Sequence, residues 1–195
     1  MTPGGHKFPV ERRPYLDSEE RRSYLNPRAI LRAFRVRPGM RIADIGSGTG
    51  FFALPAAEAV GRTGHVHAVD LSPEMLEDLE AKLSAQRITN VTVVRSTEDR
   101  ISLADRSVDF AFLACILHEL DGPGTLLEAR RILRPQGRLG IVDWKKEAMA
   151  FGPPVEHRLD ENEAKAILRD AGFTPTRAFP AGPYHYAIEA RVRHA

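Results

Sequence analysis

The run Asp44-Ile45-Gly46-Ser47-Gly48-Thr49-Gly50 constrains the fold more than any other part of the chain. A short apolar stretch, Arg41–Ile45, enters it, and a helix-forming stretch, Phe51–Val60, leaves it. Glycines at three alternate positions let the backbone turn sharply and come close to a ligand. A strand that passes through such a turn into a helix opens a strand–helix–strand unit with a parallel return strand.

The alternation continues along the chain. Further strands are predicted at His65–Asp70, Val91–Arg95, Val108–Leu113 and Leu139–Val142, the third of these almost wholly apolar, as suits a strand covered on both faces. Ser72-Pro73 opens a helix whose apolar face carries Met75, Leu76, Leu79 and Leu83. A helix near Leu126–Leu133 is followed by Pro135-Gln136-Gly137 as its stop, and the capping box Asp160-Glu161-Asn162-Glu163 starts another that ends near Ala171-Gly172. Strands near Thr174–Phe179 and Tyr184–Val192 close the chain. At the other end, Asn26-Pro27 starts a helix that Pro38-Gly39 ends, while residues 1–25 are polar and read as an arm with a short helix. The expectation is one α/β domain over residues 26–195, with a mostly parallel sheet and helices on both faces, preceded by an N-terminal arm or lid over 1–25. Ligands in such sheets bind at the carboxyl ends of the strands, near the topological switch point.

Bulk properties narrow the function classes. A length of 195 residues suits one domain, and a net charge of +2 is too small to call for a nucleic-acid or membrane partner. Arginines crowd the N-terminal segment, from Arg12 to Arg41, and are expected to pair locally with Glu11, Asp17, Glu19 and Glu20; a patch for an anionic substrate or RNA is the competing account. Cys115 is the single cysteine, so the chain forms no internal disulfide and no multi-cysteine metal site. No segment approaches the ~20 apolar residues of a membrane span, and Met1 to Phe8 lacks an apolar signal core, so a cytoplasmic location is expected.

Asp70 ends the second strand, 24 residues after Gly46, where a carboxylate accepts hydrogen bonds from a ribose diol. A nicotinamide dinucleotide is one candidate ligand, but its loop spaces the third glycine one residue later, and bulky Phe51 and Phe52 follow here. Asp44, two residues before the first glycine, would repel a pyrophosphate and suits an ammonium group. A ribose, a positive charge and no phosphate describe S-adenosylmethionine.

On these residues the chain resembles the class I S-adenosylmethionine-dependent methyltransferases, specifically the small type that resembles the ubiquinone/menaquinone-biosynthesis enzymes. Ser107-Val108-Asp109, Arg134-Pro135-Gln136-Gly137-Arg138 and the closing segment from Gly172-Phe173 to Tyr186 extend the resemblance over roughly residues 26–193. It implies a Rossmann-like seven-stranded sheet in the order 3-2-1-4-5-7-6, with strand 7 antiparallel. It also implies a cofactor site of Asp44 for the amino group and Gly46, Ser47, Gly48, Gly50 and Phe51 around the methionine and ribose. Asp70 would take the ribose hydroxyls, Leu71 and Met75 would pack on the adenine, Thr97, Glu98 and Asp99 would reach its edge, and Ala114 would contact the cofactor by its backbone. Relatives that methylate arsenic use several cysteines, and those that methylate amino groups on DNA bases carry an Asn/Asp-Pro-Pro-Tyr run that is absent after strand four here.

The acceptor side is less defined. His118 follows strand four and is the candidate base, since imidazole titrates near neutrality; a histidine that orders its loop is the competing account. Glu119 reads as a surface charge. Asp143 and Trp144 end strand five, where the indole is placed to shield a sulfonium. Phe8 lies in the arm that would close over the cofactor, and His157, Tyr184, His185 and Tyr186 come from the part that often walls the acceptor in the family. Tyr184 and Tyr186 are expected on one face of their strand. No metal is called for, and a small-molecule acceptor is favoured over RNA, over protein and over a non-catalytic cofactor-binding role.

Overall fold

The computed structural model describes residues 8–193. Seven strands form one sheet: β1 (Arg41–Ile45), β2 (His65–Asp70), β3 (Val91–Arg95), β4 (Val108–Ala114), β5 (Leu133–Trp144), β6 (Phe173–Pro180) and β7 (His185–Val192). Their order is β3-β2-β1-β4-β5-β7-β6, with β7 antiparallel to both neighbours and the rest parallel, as the resemblance implied. The order reverses between β1 and β4, which opens a crevice at their carboxyl ends.

The strand pleat sorts side chains between two apolar layers. On β4, Phe110 and Phe112 enter one layer, with Ile30, Leu31 and Phe34 of the helix Pro27–Ala33 and its cap, α2. Ala111 and Leu113 enter the other, with Leu126 and Ile132 of Gly124–Ile132 (α5) and Leu168 of Glu161–Asp170 (α6). The helices Ala53–Val60 (α3) and Pro73–Ala85 (α4) complete the first layer. Caps fall where the sequence places them: Ser72 Oγ accepts from the Met75 amide, and Asp160 and Glu163 form a reciprocal capping box.

Departures from the sequence expectation trace to packing. α3 begins at Ala53, because Phe51 and Phe52 turn inward as core anchors, each 3% exposed, with the Phe52 ring 4.8 Å from that of Phe112. Pro135-Gln136-Gly137 does not separate a helix from a strand. β5 starts directly at Leu133, and the run is taken up as a bulge, the pairing jumping from Val108↔Leu133 to Phe110↔Arg138. Tyr184 and Tyr186 do not share a face. Tyr184 lies in the turn before β7, outside the alternation, and packs on the first layer, whereas Tyr186 points into the second.

The arginine-rich segment also pairs differently. Arg22 meets Glu19 locally at 3.7 Å, but Arg13 reaches Asp78, Arg28 reaches Glu58 and Arg35 reaches Glu189. The segment folds back on the domain, as a 3-10 turn (Val10–Asp17) and the short helix Glu19–Tyr24 (α1), and so finds partners distant in sequence. Asp17 anchors it, meeting the Lys82 ammonium of α4 and accepting from Thr49 Oγ1 at 2.8 Å, while Lys82 also donates to the Thr49 carbonyl at 2.7 Å.

Candidate functional site

At the carboxyl ends of β1, β2 and β4 lies a cavity of about 890 Å³, roofed by the N-terminal segment. Its cofactor end is built from the glycine loop. The amides of Gly46 and Ser47 both donate to the Val69 carbonyl, at 2.8 and 3.0 Å, which pins the loop to β2. Gly46 has φ +74°, and a Cβ there would stand 2.7 Å from Ile116 Cδ1, so only glycine lets the loop and the β4 end approach this closely. Asp70 receives the Gly48 amide on Oδ2 at 2.7 Å and the Ser72 amide on Oδ1 at 3.0 Å. Each oxygen keeps a lone pair for a ligand hydroxyl. Burial raises its carboxyl above the ordinary value, and these backbone hydrogen bonds oppose the rise.

Asp44 is 2% exposed, and its Oδ2 has no hydrogen-bond partner. Burial, then the neighbouring Asp70 charge, raises its carboxyl to about 7, with Arg21 acting in the opposite sense. Ser47 Oγ is a second buried polar atom without a partner. Buried polar groups left unmatched in the protein mark where a ligand supplies the match. A buried acceptor at one end, a carboxylate at the β2 end and an apolar shelf of Leu71 and Met75 fit the amine, ribose and adenine of S-adenosylmethionine.

The other end holds His118, on the short turn Leu117–Glu119 after β4. Its Nδ1 lies 2.7 Å from Asp143 Oδ1 on β5, and its amide donates to Asp143 Oδ2 at 3.1 Å. Asp143 Oδ1 also accepts from the Trp144 amide at 2.8 Å. Burial by itself lowers the imidazole pKa, and the Asp143 carboxylate outweighs it through charge and hydrogen bond, leaving a net rise above 6.5. Glu119 Oε1 stands 3.8 Å from His118 Nε2. Its side chain is only 18% exposed and lines the cavity, so it is not the surface charge expected from sequence; burial lifts its carboxyl to about 7.

A methyltransferase domain family matches residues 42–137. The chain is similar to a solved S-adenosylmethionine-dependent methyltransferase from Aquifex aeolicus, at 36% identity and TM-score 0.91, covering 94% of this chain and 98% of that one. The chain belongs to the S-adenosylmethionine-dependent methyltransferases. Among curated relatives it is 29% identical over 167 residues to an arsenite methyltransferase of Halobacterium salinarum, covering 80% of this chain and 42% of that protein. It is 31% identical over 109 residues to a demethylmenaquinone methyltransferase of Geobacillus kaustophilus, covering 55% and 47%. The chain thus spans less than half the length of these two curated relatives.

Within this methyltransferase the cavity gathers most of the residues singled out from sequence: Asp44, Gly46, Ser47, Gly48, Phe51 and Asp70 at one end, with Leu71, Met75, Ala114 and the Thr97-Glu98-Asp99 segment beside them. Phe8, His118 and Trp144 line it as well. Others lie elsewhere. Gly50 faces away, where a Cβ would stand 2.5 Å from Leu79 Cδ1. Asp143 is fully buried behind His118. His185 packs behind Trp144, ring centroids 4.1 Å apart, with neither ring nitrogen hydrogen-bonded and burial lowering its pKa to about 3. Tyr184 packs edge-on against Phe151, and Tyr186 is buried beneath the other face of the sheet. His157 is exposed on the turn Val155–His157.

The wall of the methyltransferase cavity near Trp144 comes instead from Phe151 to Pro154, a loop that gave no signal in sequence. Arg158, 3% exposed, ties it down by donating to the Glu147, Phe151 and Pro153 carbonyls at 2.8, 3.0 and 2.8 Å, and it sits over Trp144, 5.7 Å from a ring centroid. Arg21 and Tyr24 of α1 also line the cavity and were missed; the arginine abundance of their segment masked them. The spacing of Arg21, Tyr24 and Leu25 was the available clue, one inward edge on an otherwise polar helix.

Proposed function

We propose that this chain transfers the methyl group of S-adenosylmethionine to a small-molecule acceptor from which a proton must be removed, with His118 as the base and Asp143 as the residue that orients it. The observation that carries this reading is the 2.7 Å contact between His118 Nδ1 and Asp143 Oδ1 beside the cavity that holds Asp44 and Asp70. Hydrogen-bonding Nδ1 to a carboxylate sets the tautomer that leaves Nε2 free to accept a proton. The cofactor, when bound, supplies a methyl on a sulfonium, a leaving group already activated. What remains for the chain is alignment, which contributes about 7–11 kcal/mol in well-oriented reactions, and removal of the acceptor proton.

The N-terminal segment serves as the lid in this reading. Residues from Phe8 to Tyr24 roof the cavity, latched by Asp17 and Arg13 to α4, and restrict the acceptor to a small molecule. Arg13, Arg28 and Arg35 pair with Asp78, Glu58 and Glu189, which balances their charge within the domain. One cysteine, Cys115, does not supply a thiol set for arsenite.

The test is turnover of a panel of phenols, other hydroxylated compounds, amines and thiols, read as S-adenosylhomocysteine formation. Activity with a proton-bearing small acceptor, slowed by His118→Ala with cofactor affinity retained, is the expected result. Full turnover in His118→Ala removes the base from the scheme.

A further inference from the structure

His118 stands between two carboxyl groups. Asp143 meets Nδ1 at 2.7 Å on one side, and on the other Glu119 Oε1 is 3.8 Å from Nε2. That second gap is too wide for a direct hydrogen bond, and among the described residues Nε2 has no hydrogen-bond partner. Glu119 is steadied from its far side, where Oε2 accepts from the Phe8 amide at 3.4 Å, which leaves Oε1 toward the imidazole. Both side chains line the cavity and are largely buried, at 3% and 18% exposure.

Two acceptors 3.8 Å apart restrict what can lie against them. A hydrogen bond from nitrogen spans ~2.7–3.2 Å, so one nitrogen that carries two hydrogens or more reaches both. A hydroxyl or thiol carries one hydrogen and satisfies one acceptor, leaving the other unmatched in a buried place. Charge acts in the same sense. A hydroxyl that gives up its proton gathers negative charge beside Glu119, whereas an ammonium becomes neutral and regains its positive charge on methylation. Burial lifts the Glu119 carboxyl to about 7, and a cation beside it favours the ionised form. The rest of the cavity wall is acidic as well, with Asp44, Asp70, Glu98, Asp99 and Asp121 against Arg12 and Arg21. A cleft of that sign concentrates cations.

We propose that Glu119 selects an amine as the methyl acceptor, its Oε1 and His118 Nε2 receiving two N–H groups of the same nitrogen. This rests on the reading of His118 as the base. One N–H proton passes to Nε2, the freed lone pair forms the bond to the methyl carbon, and the carbon–sulfur electron pair stays on sulfur. The products are an N-methylated ammonium, S-adenosylhomocysteine and a protonated His118. Glu119 keeps its own N–H throughout and takes no proton.

Matched pairs test the assignment: benzylamine against benzyl alcohol, 2-phenylethylamine against 2-phenylethanol, and n-butylamine against n-butanol. Each is titrated calorimetrically into the full chain loaded with S-adenosylhomocysteine, and each is assayed for methylation. The amine of a pair is expected to bind about 10–100-fold tighter than the alcohol. Glu119→Gln is expected to remove most of that preference with S-adenosylhomocysteine affinity unchanged, and Glu119→Asp to recover part of it. His118→Ala should retain amine binding and lose turnover. Equal binding within the pairs, no binding of any amine, or equal weakening of amine and alcohol in Glu119→Gln overturns the proposal. Alcohol turnover that depends on His118, without amine binding, overturns this proposal and leaves the base in place. Full amine turnover in His118→Ala, with the preference still lost in Glu119→Gln, overturns the base and leaves Glu119 as the selecting group.

Discussion

The Gly48 amide donates to Asp70 Oδ2 at 2.7 Å, so a single carboxylate both ties the glycine loop to the end of β2 and faces the cavity. Its other oxygen takes the Ser72 amide, ahead of α4. Loop shape therefore depends on this side chain, and in the proposed function cofactor recognition does as well. Asp70→Asn turns one of these acceptors into a donor that faces a backbone N–H. A loss of about 1–3 kcal/mol of stability is expected from the unmatched donor, together with an S-adenosylhomocysteine affinity reduced by about 10–100-fold. Thermal denaturation and calorimetry read the two effects, and unchanged affinity would remove Asp70 from the cofactor site.

Asp44 couples stability to pH in the opposite sense to a surface carboxylate. Its folded pKa is raised from 3.8 to about 7, so between those values the folded chain holds a proton that the unfolded chain has released. The stability contributed is present at low pH and is lost as pH rises through about 7. Asp44→Asn removes this loss. The substituted protein should gain on the parent progressively from about pH 4 to pH 7 and then hold level, by roughly 10 °C in Tm at pH 8, while binding S-adenosylmethionine poorly. A pH-independent difference in Tm counts against a buried, protonated Asp44.

In the proposed function Asp143 acts on the reaction through His118, whose Nδ1 it meets at 2.7 Å. The imidazole pKa is raised because the Asp143 carboxylate outweighs the effect of burial, and the base must be neutral, so kcat should climb with pH through a value above 6.5. Asp143→Asn withdraws the charge. The acidic limb should move to lower pH, with the plateau reduced about 10–100-fold. A limb that stays in place while the plateau falls would assign Asp143 a packing role only.

Gly50 separates fold from site. It has φ +94° and lies outside the cavity, against Leu79 of α4. Gly50→Ala combines an unfavourable backbone conformation with a clash, and a cost of about 2–3 kcal/mol is expected. This corresponds to roughly 5–10 °C in Tm for a chain of this size. Cofactor affinity in the remaining folded protein should change less than in Asp70→Asn.

The strands and helices of this chain were legible because local spacing specifies them. Arg41–Ile45, His65–Asp70 and Val91–Arg95 are strands with the bounds expected, and the cap residues Asn26, Ser72 and Asp160 start helices where they stand. Errors fell where a tertiary contact overrides local pattern. Phe51 and Phe52 leave the helix because the first apolar layer takes their rings, Phe52 against Phe112 and Phe51 against Phe52. The Pro135-Gln136-Gly137 stop is absorbed into β5 as a bulge because Leu133 and Arg138 on either side of it both pair with β4.

The amino-acid sequence by itself determined the β1 turn, the carboxylates at the ends of β1 and β2, and hence the class of cofactor, since these act within a few residues of chain or one strand–helix–strand repeat. Only the tertiary structure decided which polar groups meet at the cavity and behind its walls. Asp143 meets His118 across 25 residues, Asp17 meets Lys82 across 65, and Arg21 reaches the end of β1 from a helix that composition marked as solvated. Those distances are closed by packing of the two apolar layers, and packing depends on every element at once rather than on any local spacing.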